Sequence, residues 1–227
     1  FTEYDTSVNT FRAKYNEIPG DITRASAFGI NRPKGSTSGD ENIAGGSSGD
    51  GNGDGELQDS SGASLFDVFE GEFANFWVHL ANVNLIGAPI TQVNGCTGTD
   101  CNQAAGSGFP GTPIGNGIAA VTESQILHYV IGGGADLASG LDCTHNTADT
   151  LCDESMSPEE AFGIDSKMDD GKPDSGIVQV FDVWGTDGAF NTTGTAAGAD
   201  NCFLGAGGEY NLPIDNAVCS IYIKAST

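Results

Sequence analysis

The sequence predicts an α+β fold: helices packed on one small antiparallel sheet, with long loops between the elements. Three observations predict it. Apolar residues recur at helical spacing in two stretches, at Phe1 to Asp21 and at Ser64 to Val83. Ser157-Pro158-Glu159-Glu160 is a helix start, with a Ser cap, Pro at the first position and Glu at the third. Strand-like runs are short, fall in the second half of the chain, and are parted by Gly-rich segments.

In the first stretch Phe1, Tyr4, Val8, Phe11 and Tyr15 lie on one stripe, while Asp5, Thr6, Asn9, Arg12 and Asn16 fall elsewhere. Pro19 drives Ile18 out of the α region, so the helix is expected to run to residue 18 and stop. No Ser, Thr or Asp precedes the stripe, and Phe1 already belongs to it. Residues 1–18 therefore read as the remnant of a longer helix, the alternative being an ordinary helix that opens a domain.

Residues 35–62 collapse to Gly, Ser, Asp and Asn, an acidic loop with Ile43 and Leu57 as its only large apolar side chains. Inside it, Asp50-Gly51-Asn52-Gly53-Asp54-Gly55-Glu56-Leu57 reproduces the opening of an EF-hand-type calcium loop. Side-chain oxygens stand at positions 1, 3 and 5, a Gly at 6, a backbone carbonyl at 7 and an aliphatic residue at 8. Position 12 is Ser61 instead of the bidentate Glu. Candidate ligands are thus Asp50, Asn52, Asp54 and Glu56, completed by Asp59 or a carboxylate from elsewhere. The competing reading is a flexible acidic linker.

Ser64 with Asp67 forms an approximate capping box for the second helix. Leu65, Phe69, Phe73, Phe76, Leu80 and Val83 make its core stripe, widened by Phe66 and Trp77, and Gly87 and Pro89 close it. Helical spacing makes this aromatic run packing material, not a cofactor box. His79 reads as an exposed or hydrogen-bonded helix residue rather than a ligand. Ile126 to Ile131, Gly176 to Trp184 and Ala217 to Ala225 read as strands. In the third helix Ala161, Ile164 and Met168 are expected to face inward, with Asp165 and Asp169 on the other face beside Asp170. Carboxylates so placed repel unless a cation or solvent intervenes, which makes Asp165, Asp169 and Asp170 a second candidate metal cluster.

The chain has 227 residues, 38% hydrophobic, with 12 Phe and 34 Gly. That suffices for one loop-rich domain over 1–227. Eight basic residues against 31 acidic ones leave a formal charge of -23. Such a polyanion repels nucleic-acid backbones and anionic lipid surfaces, and solvation accounts for most of the charge. Calcium is the cofactor this surplus of carboxylates suggests. The six cysteines, Cys96, Cys101, Cys143, Cys152, Cys202 and Cys219, permit 15 pairings, and none has CxxC spacing. Sequential pairing, which closes three short polar loops, is the expectation, in an oxidising compartment.

Four blocks carry a resemblance: FRAKYNEIPGD at Phe11 to Asp21, GDGNGDGELQD at Gly49 to Asp59, FANFWVHLANVNLIGAPIT at Phe73 to Thr91, and PEEAFGIDSKMDDGKPDSGIV at Pro158 to Val178. In this order they resemble segments of type IV pilin-like proteins, the pilins and pseudopilins. The resemblance implies a pilin-like fold and a structural subunit of a pilus-like filament. It implies self-assembly with copies of itself and related minor pilins, and exposure on the cell surface after passage through the periplasm. In that family an apolar helix of about 25 residues, enough to span a bilayer, anchors the subunit in the inner membrane and packs in the filament core. The expectation is that such a helix was trimmed from ahead of Phe1, the alternative being that another chain supplies it. The runner-up function is a secreted calcium-dependent carbohydrate-binding or adhesive module. No nucleophile, base and orienting group fall in a catalytic motif, so no enzyme is expected.

Overall fold

The computed structural model describes residues 1–30, 50–58, 71–87, 90, 100–103, 109–112, 117–132, 141–144, 156–181, 202–204 and 208–226. Helix α1 spans Thr2–Tyr15, with Glu3 and Asp5 in its first turn and Arg12 and Lys14 in its last, matching the helix dipole at both ends. Val8 and Phe11 of the expected stripe are fully buried, and Phe1, Tyr4 and Tyr15 pack against the core from its margin. The helix stops before residue 18. Asn16 takes the left-handed conformation at φ 61° and its N–H donates to the Arg12 carbonyl at 2.7 Å. Asn tolerates that region, so the terminator is Asn16 and not the backbone restriction from Pro19.

Helix α2 spans Gly71–Asn82. Phe73, Phe76, Trp77 and Leu80 are buried as the stripe requires, but so are Glu72, Asn75, Val78 and His79. A helix buried nearly all round is a central one. On one side α1 packs against it through the Tyr4 and Trp77 rings, 5.0 Å apart edge to face, and through Phe11 stacked on His79 at 6.3 Å. The expected start at Ser64, with Leu65, Phe66, Asp67 and Phe69, lies outside the described residues.

The main sheet has four antiparallel strands: β2 (Gly117–Glu123), β3 (Ile126–Gly132), β5 (Val178–Phe181) and β6 (Ser220–Lys224), in the order β2-β3-β6-β5. β2 and β3 form a hairpin with Glu123 opposite Ile126, turning on Ser124 and Gln125 at φ 51° and 64°. Only the β3 half is expected from sequence, because this turn lacks the Asn-Gly or Asp-Gly signature of a primed turn. β6, the last strand, lies inside the sheet between β3 and β5, with Ile221 opposite Ile131 and Ile223 opposite Tyr129. Both faces are buried: Tyr129, Ile131, Ile221 and Ile223 on one, Val121, His128, Val130 and Tyr222 on the other. Burying such a side chain fully is worth about 1.5–3 kcal/mol relative to exposure.

A separate two-stranded ladder joins β1 (Asp100–Gln103) to β4 (Leu141–Thr144). Its register sets Cys101 opposite Cys143. Cys96 and Cys152, the partners that sequential pairing assigns them, lie outside the described residues. The expected pair Cys202–Cys219 is a disulfide with Cα atoms 5.1 Å apart. Helix α3, Pro158–Met168, begins as predicted: Ser157 Oγ accepts from Glu160 N, and the Glu160 carboxylate accepts from Ser157 N at 2.9 Å. The fold is therefore α+β, a mixed set of helices with a small four-stranded antiparallel sheet and a stapled C-terminal strand. Among the described residues no helix is long and apolar enough to cross a membrane.

Candidate functional site: a loop wound around two carboxylates

Beyond Asn16 the chain turns at Pro19-Gly20-Asp21 into the junction between α1 and α2. Gly20 N–H donates to His79 Nδ1 at 2.9 Å, which makes Nδ1 the acceptor and leaves the ring proton on Nε2. His79 is thus the hydrogen-bonded helix residue expected from sequence, and it is fully buried. Gly20 has φ 90°, and a Cβ there would lie 2.4 Å from the Glu72 carbonyl oxygen. No other residue type fits this approach.

Asp21 is 2% exposed and Glu72 is completely buried. The Asp21 carboxyl accepts hydrogen bonds from Gly53 N and from Gly55 N, the latter at 2.7 Å. The Glu72 carboxyl accepts from Asn52 N at 2.8 Å and from Gln58 N at 3.0 Å. Four backbone N–H groups of residues 52–58 therefore converge on a pair of carboxyls brought by other elements. Gly53 makes the turn at φ 79°, a conformation that glycine adopts freely.

The loop is tied down at its ends as well. Gly51 N donates to the Ile22 carbonyl and Glu72 N to the Gln58 carbonyl, each at 2.8 Å. Leu57 is fully buried, and its N–H donates to Thr122 Oγ1 on β2 at 2.6 Å.

Placed in this frame, the candidate ligands of the acidic loop are occupied locally. Asp50 accepts from Ser26 N at 2.8 Å and Ser26 Oγ at 2.9 Å. Asn52 Oδ1 accepts from Asp54 N, and Asp54 Oδ1 accepts from Glu56 N, both at 2.9 Å. Asp54 Oδ2 accepts from Asn52 Nδ2 at 3.1 Å and Gln58 Nε2 at 2.9 Å. Asp59 lies outside the described residues. The N–H groups of Asn52, Gly53, Gly55 and Gln58 are turned toward Asp21 and Glu72. Asp21 and Glu72 are the residues that sequence reasoning left out. Gly20-Asp21 after Pro19 was the available signal, but nothing in the linear pattern pairs it with a Glu that opens α2.

Burial raises the Glu72 pKa from 4.5 to about 8 against the lowering effect of the Asn52 N–H, and the charges of Asp21 and Asp54 add to the rise. The Asp21 pKa is also raised, first by burial, with the Gly55 and Gly53 hydrogen bonds opposing. Each carboxylate charge disfavours ionisation of the other away from water.

Asp165, Asp169 and Asp170 do come together, with one oxygen of each within 4.8 Å of the others. Their placement on α3 differs from the expectation. Asp165 is fully buried and lies on the inner face with Pro158 and Ala161, whereas Met168 is 37% exposed. The cause is Tyr210, whose hydroxyl donates to Asp165 Oδ2 at 2.8 Å while Gly171 N donates to Oδ1 at 3.1 Å. Burial raises the Asp165 pKa, and the Tyr210 bond opposes it. Asp169 accepts from Ile177 N and from Val178 N, the latter at 3.3 Å, which joins α3 to the start of β5. Asp170 accepts from Ser175 Oγ and Lys172 N, both at 2.9 Å, and these bonds hold its pKa below the usual range. Three oxygens fit part of a calcium shell, which takes six to eight. Comparison of the chain with protein-family models, with curated proteins and with solved structures finds no match.

Proposed function

We propose that this chain is the displayed globular part of a type IV pilus-like filament subunit, pilin-like in fold, which assembles through an apolar helix ahead of Phe1. One observation carries the reading. Three of the resembling blocks meet in space: in IPGD, beyond α1, Asp21 accepts from Gly53 N and Gly55 N of the Gly-Asp loop, and Gly20 N donates to His79 of the α2 block. Motifs that explain one another in space argue for a common scaffold rather than chance likeness. The same unit braces the lower end of α1, where a helix continuing upward would transmit load. Subunits of this kind assemble with copies of themselves and with related minor pilins, and their acidic bodies face solvent at the cell surface. The disulfide between Cys202 and Cys219 is in keeping with an oxidising compartment. Within this reading calcium is the cofactor, with Asp50, Asn52, Asp54, Glu56 and Asp59 as one candidate ligand set and Asp165, Asp169 and Asp170, whose carboxylates converge, as the second.

The experiment is to read the gene upstream of Phe1 and to image the cell surface of the source organism by immunogold electron microscopy. A short basic leader followed directly by an apolar helix, with label along filaments, is the expected result. A conventional secretory signal with label on no filament overturns the proposal. Isothermal titration of calcium into the wild-type chain and a D169N/D170N variant checks the second site, with less binding heat expected from the variant.

A further inference from the structure

We propose that Cys101 and Cys143 form a disulfide across the β1–β4 ladder, a covalent clasp on the two ends of the segment that carries the β2–β3 hairpin, and that Cys96 therefore pairs with Cys152. This replaces the sequential pairing expected for these four cysteines, and it does not rest on the filament reading.

The register carries it. β1 and β4 run antiparallel with Cys101 directly opposite Cys143, one step in from Asp100 opposite Thr144. Residues so placed share a face of the ladder, with Cα atoms about 5.5 Å apart in a hydrogen-bonded pair and about 4.5 Å apart in the other kind. A disulfide spans Cα distances of about 4.4–6.8 Å, so either kind of pair accepts one without moving the backbone. The Cys202–Cys219 bond of this chain has its Cα atoms 5.1 Å apart.

The composition of the ladder points the same way. It has four residues on each side, and among the described residues no third strand joins it. A two-stranded ribbon of this kind is marginal in water at best. Asp100, Asn102 and Asp142 are poor strand formers, and the pairs Asp100–Thr144, Asn102–Asp142 and Gln103–Leu141 are neither apolar on both sides nor oppositely charged. A covalent bond at the remaining pair is what can hold the ribbon.

Elimination then fixes the partners. With Cys202–Cys219 formed, four cysteines remain and allow three pairings. Only the nested one, Cys101–Cys143 with Cys96–Cys152, keeps the pair that the register sets. Because Asp100 is opposite Thr144, the chain enters β1 at the same end of the ladder where it leaves β4, and Cys96 and Cys152 are both tethered to that end. Between Cys101 and Cys143 lie all of β2 and β3, two of the four strands of the main sheet. The clasp closes this long excursion at its base, which restricts the unfolded chain more than sequential closure of two short loops does.

The bond forms by thiol–disulfide exchange with an oxidising protein disulfide. One cysteine thiolate attacks that disulfide and expels one of its thiols. The second thiolate then attacks the mixed disulfide and expels the other, so two protons and two electrons leave the cysteine pair and the oxidant departs as a dithiol. Cys202–Cys219 is the product of the same chemistry.

The test maps the unreduced wild-type protein, unfolded in urea with N-ethylmaleimide to block exchange and cut by a protease that cleaves before aspartate. Cuts at Asp100, Asp142 and Asp149 put the four cysteines in separate peptides, 67–99, 100–135, 142–148 and 149–152. Mass spectrometry should find 100–135 joined to 142–148, and 67–99 joined to 149–152. Joining of 67–99 to 100–135 or to 142–148 overturns the proposal, as does N-ethylmaleimide on Cys101 or Cys143. The stabilising role is read on C101S/C143S, expected to melt about 10 °C below the wild type. An unchanged melting temperature overturns that role. The mapping uses the wild-type chain, so it decides the pairing even if the variant does not fold.

Discussion

Gly20 leaves no room for a side chain. A methyl group there would meet the Glu72 carbonyl at 2.4 Å and Leu57 Cδ2 at 2.8 Å, on a backbone at φ 90°. G20A is therefore expected to cost about 2 kcal/mol or more, combining left-handed strain with a clash against backbone, and chemical denaturation should read it directly. Tyr210 poses a different question, because its hydroxyl is the donor that satisfies a buried carboxylate oxygen of Asp165. Y210F removes that donor and leaves the ring, so a loss of about 1–3 kcal/mol is expected. An effect under a few tenths would mean that solvent reaches Asp165.

Helix α3 and the β2–β3 hairpin allow local design rules to be tested against tertiary context. Ser157 closes a complete capping box, and S157A should lower stability by about 1 kcal/mol, measured as a shift in denaturation midpoint. The hairpin turn is the opposite case. Ser124 and Gln125 both hold positive φ without being glycine or asparagine. Replacing them by Asn-Gly should stabilise the protein by about 0.5–1 kcal/mol, because the turn then prefers the geometry it already has. The strand expected at residues 126–131 is present as β3, and its hairpin partner β2 was not expected: pairing of Ile118 with Ile131 and of Ala120 with Tyr129 outweighs an unfavourable turn pair.

At the scale of the whole molecule, the C-terminal strand closes the fold. β6 pairs with β3 on one side and β5 on the other, and the Cys202–Cys219 disulfide ties its leading edge to the segment at 202–204. Reducing that disulfide opens a loop of 17 residues and is expected to cost about 3 kcal/mol, visible as a lower melting temperature under reductant. Peptide mapping without reduction will also settle the other cysteines. Sequential pairing yields a Cys96–Cys101 fragment, whereas the ladder register sets Cys101 opposite Cys143.

The sequence by itself determined what depends on near neighbours: the buried stripe of α1, the cap of α3, the three strand segments near 126, 178 and 220, and the Cys202–Cys219 pair. Each is a pattern within a few turns or a short loop, where period and capping chemistry suffice. Tertiary structure alone decided the rest. It put Asn16 at the end of α1, buried Asp165 under Tyr210, drew β6 into the sheet interior, and wrapped N–H groups of the acidic loop around Asp21 and Glu72. The physical reason is that a carboxylate's role is set by what surrounds it. Those surroundings come from segments far apart in the chain, so no local pattern of acids and glycines reveals that the loop's N–H groups will face Asp21 and Glu72.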